Sequence, residues 1–231
     1  MNLLSSITDL FYPRICIRCG RKLNRPEKYL CAYCLAAMPE TSSHLLRDNP
    51  VAEAIAGLVA VKEAYAWFYH TRKGSYGRLI YEIKYARNLA LARYLGAYYA
   101  NELRQAGKLK AVAYVVPVPL HPSRKKMRGY NQSEEIAKGV APVLGAEIRN
   151  DLVVRTEATP SQVRKSRYER WENMRHAFRA TAPAAGDEDK GILLVDDVIT
   201  TGSTLLACAH ALETAGYRNI SIMGLAYSNS R

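Results

Sequence analysis

The stretch from Ile192 to Thr204, ILLVDDVITTGST, restricts the fold of this chain more than any other. Four apolar residues run into two adjacent carboxylates, Asp196 and Asp197, a short link leads to Thr-Thr-Gly-Ser-Thr, and a helical pattern begins at once. In an open α/β sheet, ligands sit beyond the carboxyl ends of the strands, which is where this order puts every polar group. Thr200, Thr201, Ser203 and Thr204 offer hydroxyls. Gly202 lets the backbone come close, and the free amides of a helix start favour an anion, so the loop suits a monophosphate. Asp196 and Asp197 repel phosphate, yet they can accept hydrogen bonds from two vicinal hydroxyls, and waters of a bound metal ion can bridge to them. A phosphate at one end and a diol at the other describe a ribose 5-phosphate.

The second half of the chain repeats the strand-then-helix pattern. AVAYVVPVP, from Ala111, reads as a strand ending near Val116. Asn131 with Glu134 three residues on predicts a helix cap, with Ile136, Val140 and Leu144 on one face and Gly145 at the end. LVVRT (152–156), GILLVDD (191–197) and NISIMGLAY (219–227) read as further strands. Between the last two, Leu205, Cys208 and Leu212 share a helix face that Gly216 closes. Near-continuous apolar strands separated by helices predict a mainly parallel sheet covered on both faces. From Gly57 onward the texture is helical, with Leu79, Ile80, Ile83, Leu91, Tyr94, Leu95 and Tyr98 spaced for one face, and Tyr65, Tyr69 and Tyr81 read the same way. Asn88 interrupts that helix or separates two. The Arg-rich segment from Glu157 to Arg179 has no strand pattern and reads as a mobile functional loop.

Four of the five cysteines crowd the start of the chain. Cys16-Ile-Arg-Cys19 and Cys31-Ala-Tyr-Cys34 form two C-x-x-C turns with eleven residues between them, a spacing that delivers four thiolates to one Zn²⁺. Such a filled site is structural, with no open position for catalysis. Disulfide pairing is the alternative, and Cys208 reads as a small buried hydrophobe.

Lys and Arg outnumber Asp and Glu by 33 to 21, a formal charge of +12 that suits a polyanionic partner or a solvated basic face. The absence of a run of about 18 apolar residues predicts no membrane span. The opening MNLLSSITDLFYP makes a poor signal peptide, so the cytoplasm is the expected location. No G-x-x-x-x-G-K-[ST] loop is present, so an ATP-driven step would belong to a partner.

ILLVDDVITTGST closely resembles the 5-phosphoribosyl-1-pyrophosphate (PRPP) motif of type I phosphoribosyltransferases. Two further stretches, VPVPLHPSRKKMRGYNQSEEIA (116–137) and RTEATPSQVRKSRYERWENMRHAF (155–178), resemble the ComF family of competence-associated phosphoribosyltransferase-like proteins, as does the cysteine-rich start. The resemblance implies an α/β, Rossmann-like type I phosphoribosyltransferase fold over residues 57–231, a zinc-ribbon-like module over 1–45 and a linker at 46–56. It implies that Asp196 and Asp197 contact the ribose hydroxyls and Thr200, Thr201, Gly202, Ser203 and Thr204 the 5-phosphate. Val118, Pro119 and Leu120 would face the pyrophosphate, with Arg124, Lys125, Arg128 and Asn131 close behind. Residues 155–178 take the place of the superfamily's catalytic loop, and Thr159 to Gln162 is similar to a Thr-x-x-Gln of amidophosphoribosyltransferases. Arg164, Lys165, Arg167 and Arg170 are candidates to neutralise the departing diphosphate, a solvated basic loop being the alternative. Lys84-Tyr85 resembles a recurring pair in ComF-like chains, although surface packing accounts for it equally well.

The activity so implied is transfer or release of ribose 5-phosphate from PRPP with Mg²⁺, to an acceptor the sequence does not name, in DNA uptake and natural transformation. The alternative is an accessory that senses PRPP or binds single-stranded DNA or a competence helicase. An oligomer is compatible with either.

Overall fold

The computed structural model describes residues 13–71, 74–156, 171 and 174–228. Along the chain these form α1 (Ala32–Ala36), α2 (Pro50–Ile55), β1 (Glu63–Tyr69), α3 (Gly77–Lys84), α4 (Leu89–Gln105), β2 (Val112–Pro117), α5 (Pro122–Arg128) and α6 (Gln132–Leu144). The remainder supplies β3 (Glu147–Ile148), β4 (Val153–Arg155), β5 (Phe178–Ala180), β6 (Gly191–Ile199), α7 (Ser203–Ala215) and β7 (Ile220–Tyr227).

Because β6 is apolar on both faces it sits in the middle of a five-stranded sheet of order β1-β7-β6-β2-β3, every pair parallel. The period of two divides its side chains between two cores. Leu193 and Val195 join Val115 and Met223 beneath α3, α4 and α6, where Leu79, Ile83, Leu95 and Ile136 are fully buried. Ile192 and Leu194 join Val116 and Ile222 on the opposite face, beneath α2, α7 and the β4–β5 ribbon. The parallel α/β fold expected of the sequence is therefore present. Among the described residues, no helix is long and apolar enough to cross a membrane.

Two segments differ from the sequence reading. Residues 63–69 are strand, so Tyr65 and Tyr69 stand on β1 rather than on a helix. Their true period is two: Tyr65 and Trp67 enter one core while Ala64 and Ala66 enter the other. LVVRT does form β4, but it pairs antiparallel with β5 outside the main sheet, Val153 opposite Ala180 and Arg155 opposite Phe178. Only one side of it is covered, which leaves Val154 exposed while Val153 is buried.

Residues 46–56, read as a linker, hold α2. Asn49 caps it by accepting from the Val51 and Ala52 amides and ties it to the sheet by donating to the Ala64 carbonyl at 2.7 Å. Val51 and Ile55 are fully buried. The cysteine segment is likewise packed on the sheet domain, with Cys16, Leu23, Leu30, Cys31, Cys34 and Met38 in the same core as Trp67 and Leu79. Residues 39–43 cover the free edge of β1: the Tyr69 amide donates to Pro39, the Thr41 amide to Trp67, and the Ser43 hydroxyl to the Ala66 carbonyl.

Candidate phosphoribosyl site

In a parallel sheet every strand ends on the same edge. Here β2 is followed by α6 on one face and β6 by α7 on the other, so the chain diverges between β2 and β6 and opens a crevice at that edge. Asp196 and Asp197 lie at the β6 side of it. The strand continues beyond them, Val198 and Ile199 pairing with Ala226 and Tyr227 of β7, which fixes the backbone of both carboxylates.

Neighbours on an extended strand leave on opposite faces. Asp197, 7% exposed, meets Lys84 Nζ at the end of α3, 3.0 Å from its Oδ1. Asp196 accepts from the Ser133 hydroxyl at 2.9 Å and from the Asp197 amide at 2.9 Å. Burial first, and the adjacent Asp197 carboxylate second, push the Asp196 carboxyl up to about 7, against the pull of Lys84 and of these two hydrogen bonds.

The Thr-Thr-Gly-Ser-Thr loop follows. Gly202 takes a left-handed conformation, φ +73°, at the N-cap position of α7, and no side chain caps that helix end. A Cβ at Gly202 would stand 2.7 Å from Ile55 Cγ2, so α2 closes one side of the loop and only glycine fits. Ser203 is buried, Thr201 and Ser203 share a hydrogen bond of 2.9 Å between hydroxyls, and Thr200 is exposed. Amides at an uncapped helix start, hydroxyls and a close backbone are donors suited to a phosphate.

The second loop leaves β2. The Val118 amide donates to the Val195 carbonyl at 2.9 Å, and the Asn131 side-chain amide donates to the Val118 carbonyl at 3.0 Å while its oxygen caps α6. Val118 is buried, Pro119 and Leu120 partly exposed. His121 caps α5, its Nδ1 accepting from the Ser123 amide. Helix α5 buries no side chain; Arg124 and Lys125 are exposed, and Arg128 stacks on the Tyr85 ring at 5.3 Å. Thus the loop after β2 is tied through Val118 and Val195 to the strand that carries Asp196 and Asp197, while Arg124 and Lys125 of α5 are exposed and Arg128 is half-buried.

Arg164, Lys165, Arg167, Arg170 and the Thr159–Gln162 stretch lie outside the described residues. Met174 Sδ accepts from the Thr204 hydroxyl at 3.8 Å, which places Met174 beside the Thr200–Thr204 loop. Lys84, Ser133 and His70 are site neighbours that the sequence reading did not assign. For Lys84 the signal was the Lys84-Tyr85 pair. Ser133 follows an N-cap asparagine, and nothing local marked it as facing Asp196. Burial holds His70 below the usual histidine range, with Lys84 adding to that effect and Asp197 opposing it, and its Nδ1 has no partner among the described residues.

At the other end of the chain, ligand atoms of Cys16, Cys19, Cys31 and Cys34 all lie within 4.8 Å of one another, and all four are free thiols. Gly20, φ +74°, makes the tight turn after the first pair. Arg18 Nη1 donates to Cys34 Sγ at 3.4 Å, Arg21 Nη2 to Cys31 Sγ at 3.2 Å, and the Cys31 amide to Cys16 Sγ at 3.4 Å. Burial works against ionisation of Cys31, yet the Arg21 guanidinium and the Cys34 amide outweigh it and bring the thiol down to about 6. Burial pushes Cys34 up to about 12. Clustered sulfurs with cationic and amide donors around them could hold a metal ion.

Comparison with known proteins identifies the family. The family model described as Phosphoribosyl transferase domain matches residues 109–231. The DNA utilization protein YhgH of Shigella flexneri is 31% identical over 216 residues, 90% of this chain and 88% of that protein. Competence protein F of Haemophilus influenzae is 34% identical over 140 residues, 61% of this chain and 60% of that protein. Among solved structures, the glutamine PRPP amidotransferase of B. subtilis superposes with a TM-score of 0.44 at 18% identity, over 63% of this chain and 30% of that one. The domain match, the relative matched over 90% of the chain and the likeness to Competence protein F show that the chain belongs to the ComF family of phosphoribosyltransferase-domain proteins.

Proposed function

We propose that the chain binds PRPP at the β2–β6 crevice and transfers or releases its ribose 5-phosphate with Mg²⁺. The observation that carries this reading is the placement of Asp196 and Asp197 one loop before an uncapped helix start, at the switch point of a parallel sheet. Thr201, Gly202, Ser203 and Thr204 hold the 5-phosphate through hydroxyls and amides, and Thr200 closes its exposed side. Asp196 and Asp197 accept the two ribose hydroxyls. The loop Val118, Pro119 and Leu120 presents its backbone to the diphosphate, with Arg124, Lys125 and Arg128 supplying positive charge outside it.

The donor set fits a hard divalent cation held through water: two adjacent carboxylates, one of them disfavoured as an isolated anion. Bound with the ligand, Mg²⁺ would neutralise charge on the departing diphosphate. Arg164, Lys165, Arg167 and Arg170 are assigned the same task. Cys16, Cys19, Cys31 and Cys34 hold one structural Zn²⁺, four thiolates leaving no position for substrate. Free thiols suit the cytoplasm, which we infer as the setting.

The names of the relatives, DNA utilization protein and competence protein, support a place for this chain in DNA uptake. They favour a second reading in which PRPP is sensed and the partner is single-stranded DNA or a competence helicase. Release of diphosphate from PRPP and Mg²⁺, measured with water, amines and nucleobases as acceptors, separates the two. The transferase reading expects release above buffer that disappears in Asp196→Asn, Asp197→Asn. Binding without release for every acceptor would leave only the sensor.

A further inference from the structure

Lys84 is not needed by the assignments above, yet it makes the one ion pair among the described residues that involves the acidic pair. Its Nζ stands 3.0 Å from Asp197 Oδ1, with the lysine side chain 22% exposed and that of Asp197 10% exposed. The lysine is held there. It ends α3, whose Leu79, Ile80 and Ile83 are buried under the sheet, and the Ile83 carbonyl accepts from the Tyr130 hydroxyl just before α6. Burial lowers the proton affinity of His70, the other base near Asp197, and Lys84 is the cation paired with this carboxylate.

A flexible four-carbon ammonium on a rigid helix end can satisfy a carboxylate and then reach a second anion nearby. Resting on the phosphoribosyl reading of the site, we propose that Lys84 is a cationic placeholder. In the free protein it neutralises Asp197 and excludes a free divalent cation, and it moves to the diphosphate when the ligand brings its own metal. The site is thereby set for the metal–ligand complex and against the metal alone. Lys84 thus has two partners in turn, Asp197 in the free protein and the diphosphate in the complex.

The test is a pair of titrations on the full chain, wild type, Lys84→Gln and Lys84→Arg. The first uses Mn²⁺ alone, read by the loss of its free electron-spin resonance signal. The second uses PRPP with Mg²⁺, read by calorimetry. Removing one positive charge from the carboxylate should raise Mn²⁺ affinity by about tenfold in Lys84→Gln and lower PRPP affinity by a similar factor. Lys84→Arg, which keeps the charge, should stay near wild type for Mn²⁺. Unchanged or weaker Mn²⁺ binding in Lys84→Gln overturns the proposal, because a lysine that only braces the fold would lower both affinities or neither. Wild-type protein that takes up no PRPP overturns the phosphoribosyl reading instead. The Mn²⁺ titration then still decides whether Lys84 guards Asp197.

Discussion

Asp196 sits where ionisation is costly, and that cost ties stability to pH. Its folded carboxyl titrates at about 7, above the ordinary carboxylate value, so between pH 4 and 7 the folded state holds a proton that the unfolded state has lost. Its contribution to stability is full below that window and disappears as pH rises through it. Asp196→Asn removes the titration. Thermal unfolding midpoints of the two proteins should therefore diverge in favour of the variant from pH 5 to pH 8, and a gap that does not move with pH would contradict the burial argument. At this scale the sequence was most readable where residues are contiguous: Asp196, Asp197 and the Thr200–Thr204 loop stand in one string whose chemistry follows from residue type. Lys84 and Ser133 reach the same carboxylates from α3 and α6, across separations that no local pattern encodes.

Between elements, α4 and α6 cross in close backbone contact. A Cβ at Gly139 would lie 2.0 Å from the Arg93 carbonyl oxygen, and one at Gly96 would lie 2.5 Å from that of Ile136, so each glycine admits the other helix's backbone. Arg93 also grips the buried Glu135, its Nε and Nη2 at 2.7 and 2.6 Å from Oε2. This packing fixes the start of α6, and with it Asn131 and Ser133 at the crevice. Gly139→Ala should lower the unfolding free energy by about 1–3 kcal/mol in urea, by overpacking against backbone that cannot easily yield. An unchanged midpoint would mean that the helices separate freely. Helices α6 and α7 were legible because apolar period and terminal glycine agreed, with Asn131 marking the start of α6. Strand β1 was not, because its alternate aromatic and alanine residues all count as apolar when each face meets a core, and the period of two is lost in that sum.

Across the whole molecule, the cysteine module and the crevice are connected through α3. The Tyr76 hydroxyl, at the start of that helix, donates to the Cys34 carbonyl at 2.6 Å, and Arg18 lies over the Tyr76 ring while donating to Ser75. Lys84 is at the other end. Removing the Zn²⁺ proposed for Cys16, Cys19, Cys31 and Cys34 should therefore lower the thermal midpoint by at least about 5 °C and raise amide exchange along residues 76–84, not only within the module. Exchange confined to residues 13–38 would show that the module is merely appended. The division of the chain into module, linker and domain rests on the crowding of cysteines at the start, the change of texture at Gly57 and the family resemblance. Composition could not reveal that α2, Cys16 and Cys34 enter the same cores as the sheet, since burial is decided by what packs against a segment.

We propose that the acidic strand end and the loop after it bind a phosphoribosyl diphosphate. Calorimetric titration of PRPP with Mg²⁺ into the full chain, beside Asp196→Asn, Asp197→Asn, tests it most directly, because the amides keep shape and remove charge. Saturable binding by the wild type, lost in the double variant, is the expected result. Wild-type protein that takes up no PRPP, or a double variant that binds it equally well, would contradict the assignment of this crevice.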